Sequence, residues 1–296
     1  MSVDVSDMRI ERRAPERPLE DVMGGSARWE IKVHDHGLVA LVDVMPRLVP
    51  AGKTADYAIV QAARVSYGEG TRHVSEDRAL IRYLARHRHT TPFEMVEFKF
   101  HHVMPIFVAR QWIRHRTASV NEYSGRYSIV PDRFYHPSPQ EVRRQSTANR
   151  QGGEGGVDEM TAREFCEYLD AVEATYARYQ ALIDKGVARE MARIALPLSI
   201  YTEWYWKCDL HNIFHFLALR MDRHAQQEIR DYARAMFALI QPIVPVAAEA
   251  FLDYQFEAIT LSRLEVEAIR EGRPLVSENK RENQEFQEKR KSLGLE

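Results

Sequence analysis

The stretch VEFKFHHVMPIFVARQWIRHRTASVNEYSGRY, residues 96–127, changes its pattern twice. Val96, Phe98 and Phe100 alternate with Glu97, Lys99 and His101, which predicts a strand over residues 96–103 with one apolar and one polar face. Pro105 suits the first turn of a helix through Ile113, because its fixed φ and missing N–H cost nothing there. At Arg114 the apolar pattern stops. The segment RHRTASVNEYSGRY (114–127) carries three arginines, a histidine, a glutamate and an asparagine. A helix through Ile113 would set Arg110 and Arg114 on one face with Gln111 beside them. Arg116 and Arg126 would flank a polar turn containing Ser119, Asn121 and Ser124. A guanidinium grips phosphate or carboxylate through two parallel hydrogen bonds, which an ammonium cannot copy. Lysine is absent from 100 to 184 while arginine is plentiful. A solvated charged loop needs no such choice; a site for anions does.

Upstream, GLVALVDVM (37–45) is short, β-branched and bounded by Gly37 and Pro46, a strand. TADYAIVQAARVS (54–66) has helical spacing. Ser75 is a candidate N-cap for a helix through LIRYLARH, with Glu76 and Asp77 in its first turn. Downstream, helices dominate: Asp158 to Asp184 ending at Gly186, Arg189 to Leu196 stopping at Pro197, LHNIFHFLALRM capped by Asp209, and His224 to Gln241. The order predicts an α/β (α+β) fold, a helix-rich single domain with a small central sheet.

Residues 1–35 are charged, poor in aromatics and without a clear period, so they read as a partly ordered extension of a body at 36–270. QSTANRQGGEGGVDEM (145–160) marks a flexible insertion at 139–160, and 271–296 reads as a charged tail.

The chain has 296 residues, 41 basic and 43 acidic, so it carries no field that would coat nucleic acid or an anionic membrane. Local positive charge is therefore read as a site. Cys166 and Cys208 make no disulfide framework, and the N-terminus lacks a signal-peptide pattern. A cytoplasmic protein without a membrane span is expected.

No G-x-G-x-x-G follows a strand and no P-loop is present, so a bound nucleotide must be held by arginines and polar turns. His211 and His215 are four apart, a spacing that zinc accepts, but no third ligand set follows; no metal is expected. Cys208 lies between aromatics in YWKCDLH, a structural rather than nucleophilic setting. Arg220 closes the apolar run IFHFLALR, where pairing with Asp222 competes with reaching a cleft beside the two histidines.

The spacing Arg-His-Arg, seven residues, then Ser in RHRTASVNEYS resembles the signature of flavin-dependent thymidylate synthases. The resemblance extends through AARVS (62–66), HRHTTPFE (87–94), PIFVARQWIRHR (105–116), NEYSGRYS (121–128), ARIALPLSIYTEWYW (192–206) and HFLALRMDRHAQQEIRDYA (215–233), in the family's order. It implies a homotetramer with active sites between subunits, using FAD, NADPH, 5,10-methylenetetrahydrofolate and dUMP to make dTMP. It further implies that Thr91, Arg114, His115, Arg116, Glu122, Asp209, His211 and His215 hold FAD. Gln111, Arg114, Glu122, Tyr123, Ser124, Gly125, Arg126 and Arg193 would surround dUMP. Arg220 would bind the uracil and favour ionised N3, the catalytic role. His89 and His224 fall in family active-site segments without assigned roles. Two rivals stand beside this reading: an RNA-binding platform built on the basic-aromatic stretch, and a flavin oxidoreductase without methyl transfer.

Overall fold

The computed structural model describes residues 14–25, 27–65, 76–147 and 152–295. It divides into two units, Met1–Phe251 and Leu252–Glu296. The first is built on a five-stranded sheet in the order Trp29–Val33, Gly37–Met45, Glu97–Pro105, Tyr201–Asp209, Ser119–Glu122. Every pairing in it is antiparallel, which makes the class α+β.

The expected alternation holds in the central strand. Val96, Phe98 and Phe100 are fully buried, while Lys99 on the other face is exposed. Phe98 pairs in register with Cys208, and Phe100 with Trp206. Helix Leu210–Arg220 adds Phe216 and helix Ile106–Trp112 adds Trp112, whose rings lie 4.4 Å apart. Burying such an aromatic side chain stabilises the fold by about 2–3 kcal/mol.

The strand turns into a helix at Pro105, which is the last paired residue and the helix N-cap at once. The next two N–H groups, which a helix start leaves without partners, donate to the Ile200 carbonyl at 2.9 Å and the Leu198 carbonyl at 3.1 Å. This helix ends at Trp112 with Ile113 as C-cap, so Arg114 lies past it and does not share a helical face with Arg110.

Other expectations shift. Trp29–Val33 and Leu19–Asp21, within the span read as an extension, are strands: the first edges the main sheet, the second pairs with Leu48–Pro50. The glycine-rich insertion is a hairpin of Arg143–Gln145 and Gly153–Gly156. The helix expected from Asp158 is two, Glu159–Glu173 and Tyr176–Asp184, because the Thr175 hydroxyl donates to the Val172 carbonyl at 2.6 Å between them. Arg189–Ala192 passes into a 3-10 turn, Arg193–Ala195. The helix expected from His224 begins at Gln227, since Asp222 takes the His224 N–H at 2.8 Å and holds a turn there. Ser75 lies outside the described residues.

The second unit is helical. Ser262 caps Arg263–Arg270 in a reciprocal arrangement with Glu265, and Glu265 pairs with Lys289 of helix Lys280–Ser292 at 2.8 Å. The span expected as a tail thus carries a helix. Among the described residues no helix is long and apolar enough to cross a membrane.

Candidate active site

The side chains singled out in the sequence gather in two groups and one cleft. The first group forms where the end of Ile106–Trp112 meets the helix Leu210–Arg220. Asp209 caps that helix, accepting from the Asn212 N–H at 2.9 Å and the Asn212 side chain at 2.8 Å. His211 and His215 project from its first turns, and the His115 ring lies 5.3 Å from that of His215, centroid to centroid, tilted by 38°. His115 also receives Phe216 edge-on at 5.6 Å, and Thr117 Oγ1 lies 3.3 Å from its Nε2. Burial, then the neighbouring His215, lower the His115 pKa and favour the neutral ring.

At the other end of the same helix, Arg220 Nη2 donates to the Gln111 carbonyl at 2.9 Å. Burial lowers its pKa, so the guanidinium is a partly desolvated cation whose field is strong. The Gln111 side chain donates to Gln226 Oε1 at 2.5 Å. Gln226 had no signal in the sequence beyond its place in HAQQE. His224 turns its Nδ1 to Asp222 at 2.8 Å.

The second group lies in the turn after Ser119–Glu122. Glu122 accepts from Thr202 Oγ1 at 2.7 Å, a partner that sequence spacing does not reveal. The Tyr123 N–H donates to the Glu203 carbonyl at 2.8 Å and its hydroxyl to the Ile129 carbonyl at 2.7 Å, which fixes the turn. Ser124 accepts from the Tyr127 and Ser128 N–H groups through its carbonyl, both at 3.1 Å. Gly125 is buried, and a Cβ there would sit 2.9 Å from Val130 Cγ2 and 3.2 Å from Arg193 Cδ. Only glycine lets Arg193 come so close. Arg126 pairs with Glu190 at 3.2 Å and lies over the Tyr127 ring.

Thr91 opens the short helix Thr91–Glu94 and lines, with His89, Met45, Lys53 and Gln61, a cleft of about 1670 Å³. None of the other expected site residues lines it.

The donor set fits FAD and a nucleotide phosphate. Among the described residues Arg114 and Arg116 have no hydrogen bond or ion pair, although both are exposed cations beside His115 in sequence. Cys208 does not compete as a nucleophile: it is buried, donates to the Thr117 carbonyl at 3.2 Å, and burial pushes its pKa far up, keeping the thiol protonated.

An antiparallel sheet flanked by helices, with exposed guanidiniums at Arg114 and Arg116 and a partly desolvated Arg220, offers donors suited to a phosphorylated ligand without a glycine-rich loop. The family described as thymidylate synthase complementing protein matches residues 47–246. The flavin-dependent thymidylate synthase of Dictyostelium discoideum is 66% identical over 293 residues, 99% of this chain and 97% of that one. A Thermus thermophilus protein of the same description is 55% identical over 240 residues, 81% of this chain and 84% of that one. A crystal structure of the UMP/dUMP methylase PolB from Streptomyces cacaoi, bound with 5-Br UMP, superposes with a TM-score of 0.65 at 34% identity, over 76% of this chain and 98% of that one. The chain belongs to the flavin-dependent thymidylate synthase family.

Proposed function

We propose that this chain methylates dUMP to dTMP, taking the carbon from 5,10-methylenetetrahydrofolate and reducing equivalents from NADPH, at sites shared between subunits of a homotetramer. The observation that carries the reading is the pairing of a half-buried Arg220 with the Gln111 carbonyl near the tilted His115–His215 ring pair.

FAD, when bound, supplies the hydride; Arg114, His115, Arg116, Thr91, Glu122, Asp209, His211 and His215 would hold it. The pyrophosphate finds its charge match in Arg114 and Arg116. The turn at Ser124, Gly125 and Arg126, with Arg193 beside it, would offer guanidiniums to the dUMP phosphate. Gln111, Glu122 and Tyr123 line the approach to the uracil. Arg220 directs its charge at N3 and the adjoining carbonyl oxygen, where negative charge gathers as C5 becomes nucleophilic. Fixed by the Gln111 carbonyl, it needs no reorganisation at that moment. A protonated, buried Cys208 is consistent with activation that uses no thiolate at C6.

The shared site is supported by apolar side chains around these groups. Ile113, Ile194 and Leu198 are 46%, 70% and 62% exposed in the single chain, a surface that a partner subunit would cover.

Anaerobic incubation with dUMP, methylenetetrahydrofolate, NADPH and FAD tests the reading, with dTMP expected by mass. NADPH oxidation without dTMP would favour a flavin oxidoreductase. Protein that stays colourless with added FAD would favour an RNA-binding platform.

A further inference from the structure

The hairpin of Arg143–Gln145 and Gly153–Gly156 lies against the turn that follows Arg220. A Cβ on Gly152 would stand 3.8 Å from the His224 carbonyl. Arg143 Nη2 donates to Gln227 Oε1 at 3.3 Å, and Arg230 Nη2 donates to the same oxygen. Gly153 makes this approach possible, since a Cβ there would be only 2.6 Å from Arg143 Cβ. Arg234 sits four residues beyond Arg230 on the same helix, hence on the same face.

Two guanidiniums therefore share one neutral amide oxygen, and a third stands within electrostatic reach of Arg230. Among the described residues none of the three has a carboxylate within ion-pair distance. The nearby acids are turned elsewhere. Asp231 accepts from Gln227 Nε2 at 2.5 Å and faces His34 at 3.8 Å, while Asp222 faces His224 at 2.8 Å. Arg230 Nε is buried without a hydrogen-bond partner. Burial and then the charges of Arg234 and Arg143 lower the Arg230 pKa, the mark of like charges held together. An oxyanion accepting parallel N–H bonds would relieve that repulsion. The location also matters: Gln226 touches Gln111 of the active site, and the next residue, Gln227, touches Arg143.

We propose that Arg143, Arg230 and Arg234 form a second oxyanion site, apart from the Arg126–Arg193 turn, that takes the outlying anionic group of a co-substrate. The inference rests on the reading of the chain as a user of NADPH and a folate. Two sources share the required chemistry, the 2′-phosphate of NADPH and the glutamate carboxylates of the folate.

The experiment titrates FAD-loaded enzyme calorimetrically with 2′,5′-ADP against 5′-AMP, and with p-aminobenzoylglutamate against p-aminobenzamide. Wild type is compared with Arg143→Gln and Arg234→Gln, both at exposed positions where folding is safe. We expect one anionic probe to bind better than its counterpart, and that preference to fall by about tenfold in each variant, the loss of one charge-assisted hydrogen bond. An arginine-dependent preference for 2′,5′-ADP assigns the site to the ribose phosphate; one for p-aminobenzoylglutamate assigns it to the carboxylates. No preference, or one that both variants retain, overturns the proposal. Enzyme that makes dTMP yet shows no such preference sinks this second site alone. A preference without dTMP formation sinks the functional reading and leaves the anion site.

Discussion

Arg220 Nη2 donates to the main-chain carbonyl of Gln111 at 2.9 Å, across 109 positions of sequence. The bond joins the end of one helix to the last turn of another, so two packed elements set the angle at which the guanidinium faces the site. A backbone acceptor cannot rotate away, and partial burial reduces the water that competes for the charge.

Replacing Arg220 with Ala should therefore preserve the fold and remove the activating step. Loss of a preorganised charge contact of this kind costs about 3 kcal/mol, or about 10²–10³ in rate. Single-turnover dTMP formation is the measurement, with circular dichroism as the control for folding. Arg220→Lys should recover only a small part, since an ammonium lacks the planar fork that presents two parallel N–H bonds. Near-normal turnover in Arg220→Ala would remove Arg220 from the catalytic role.

Arg126 is held differently. It is exposed and pairs with Glu190, while the neighbouring Gly125 admits Arg193 to the same turn. Arg126→Ala should raise the KM for dUMP by about tenfold, as expected for one lost charge-assisted hydrogen bond, while FAD stays bound at wild-type occupancy. Equal loss of both ligands, read by equilibrium dialysis and flavin absorbance, would show that the turn does not separate them.

The sheet and the site were not equally legible in the sequence. Alternation over Val96–Val103 and the break at Pro105 marked the central strand and the helix after it, because both signals are local. The Asp209 cap was legible for the same reason. Trp29–Val33 also alternates, but five residues inside a charged run read as an extension until Gly37–Met45 pairs with them. The hairpin at 143–156 was hidden because its glycines signal a loop, and only pairing with Arg143–Gln145 makes Gly153–Gly156 a strand. Arginines at 114, 116, 126 and 220 drew notice by type. Their surroundings, Gln226, Thr202 and Glu190 among them, did not, since each is set by tertiary packing that leaves no trace in spacing.

His102 supplies a pH test of the core. It is a fully buried residue of the central strand, accepts from Trp204 Nε1 at 3.2 Å, and burial lowers its pKa from 6.5 to about 3. Between those two values the unfolded chain binds a proton that the folded chain refuses. Stability must then fall as pH drops through 6.5, and go on falling until about 3, by about 1.4 kcal/mol per pH unit from this group. Urea unfolding from pH 7.5 to 4.5 should show that slope in wild type. His102→Phe should flatten it by one proton's worth, whatever its effect on absolute stability. An unchanged slope would mean that His102 is protonated in the native state.

The shared site makes the sharpest demand. If Arg126 and Arg220 of one active centre come from different subunits, two impaired variants can rescue one another. At dUMP well below KM, Arg126→Ala should run about tenfold slow and Arg220→Ala slower still. In a mixture of the two chains, refolded or co-expressed together, some centres would draw an intact Arg126 from one chain and an intact Arg220 from the other. Those centres should make dTMP at the wild-type rate, so the mixture should exceed the average of the two variants assayed separately. If both arginines serve the same centre from one chain, every centre carries a defect and the mixture gives only that average. Native mass spectrometry, reading the subunit composition of the active fraction, separates this outcome from a failure of the two chains to mix.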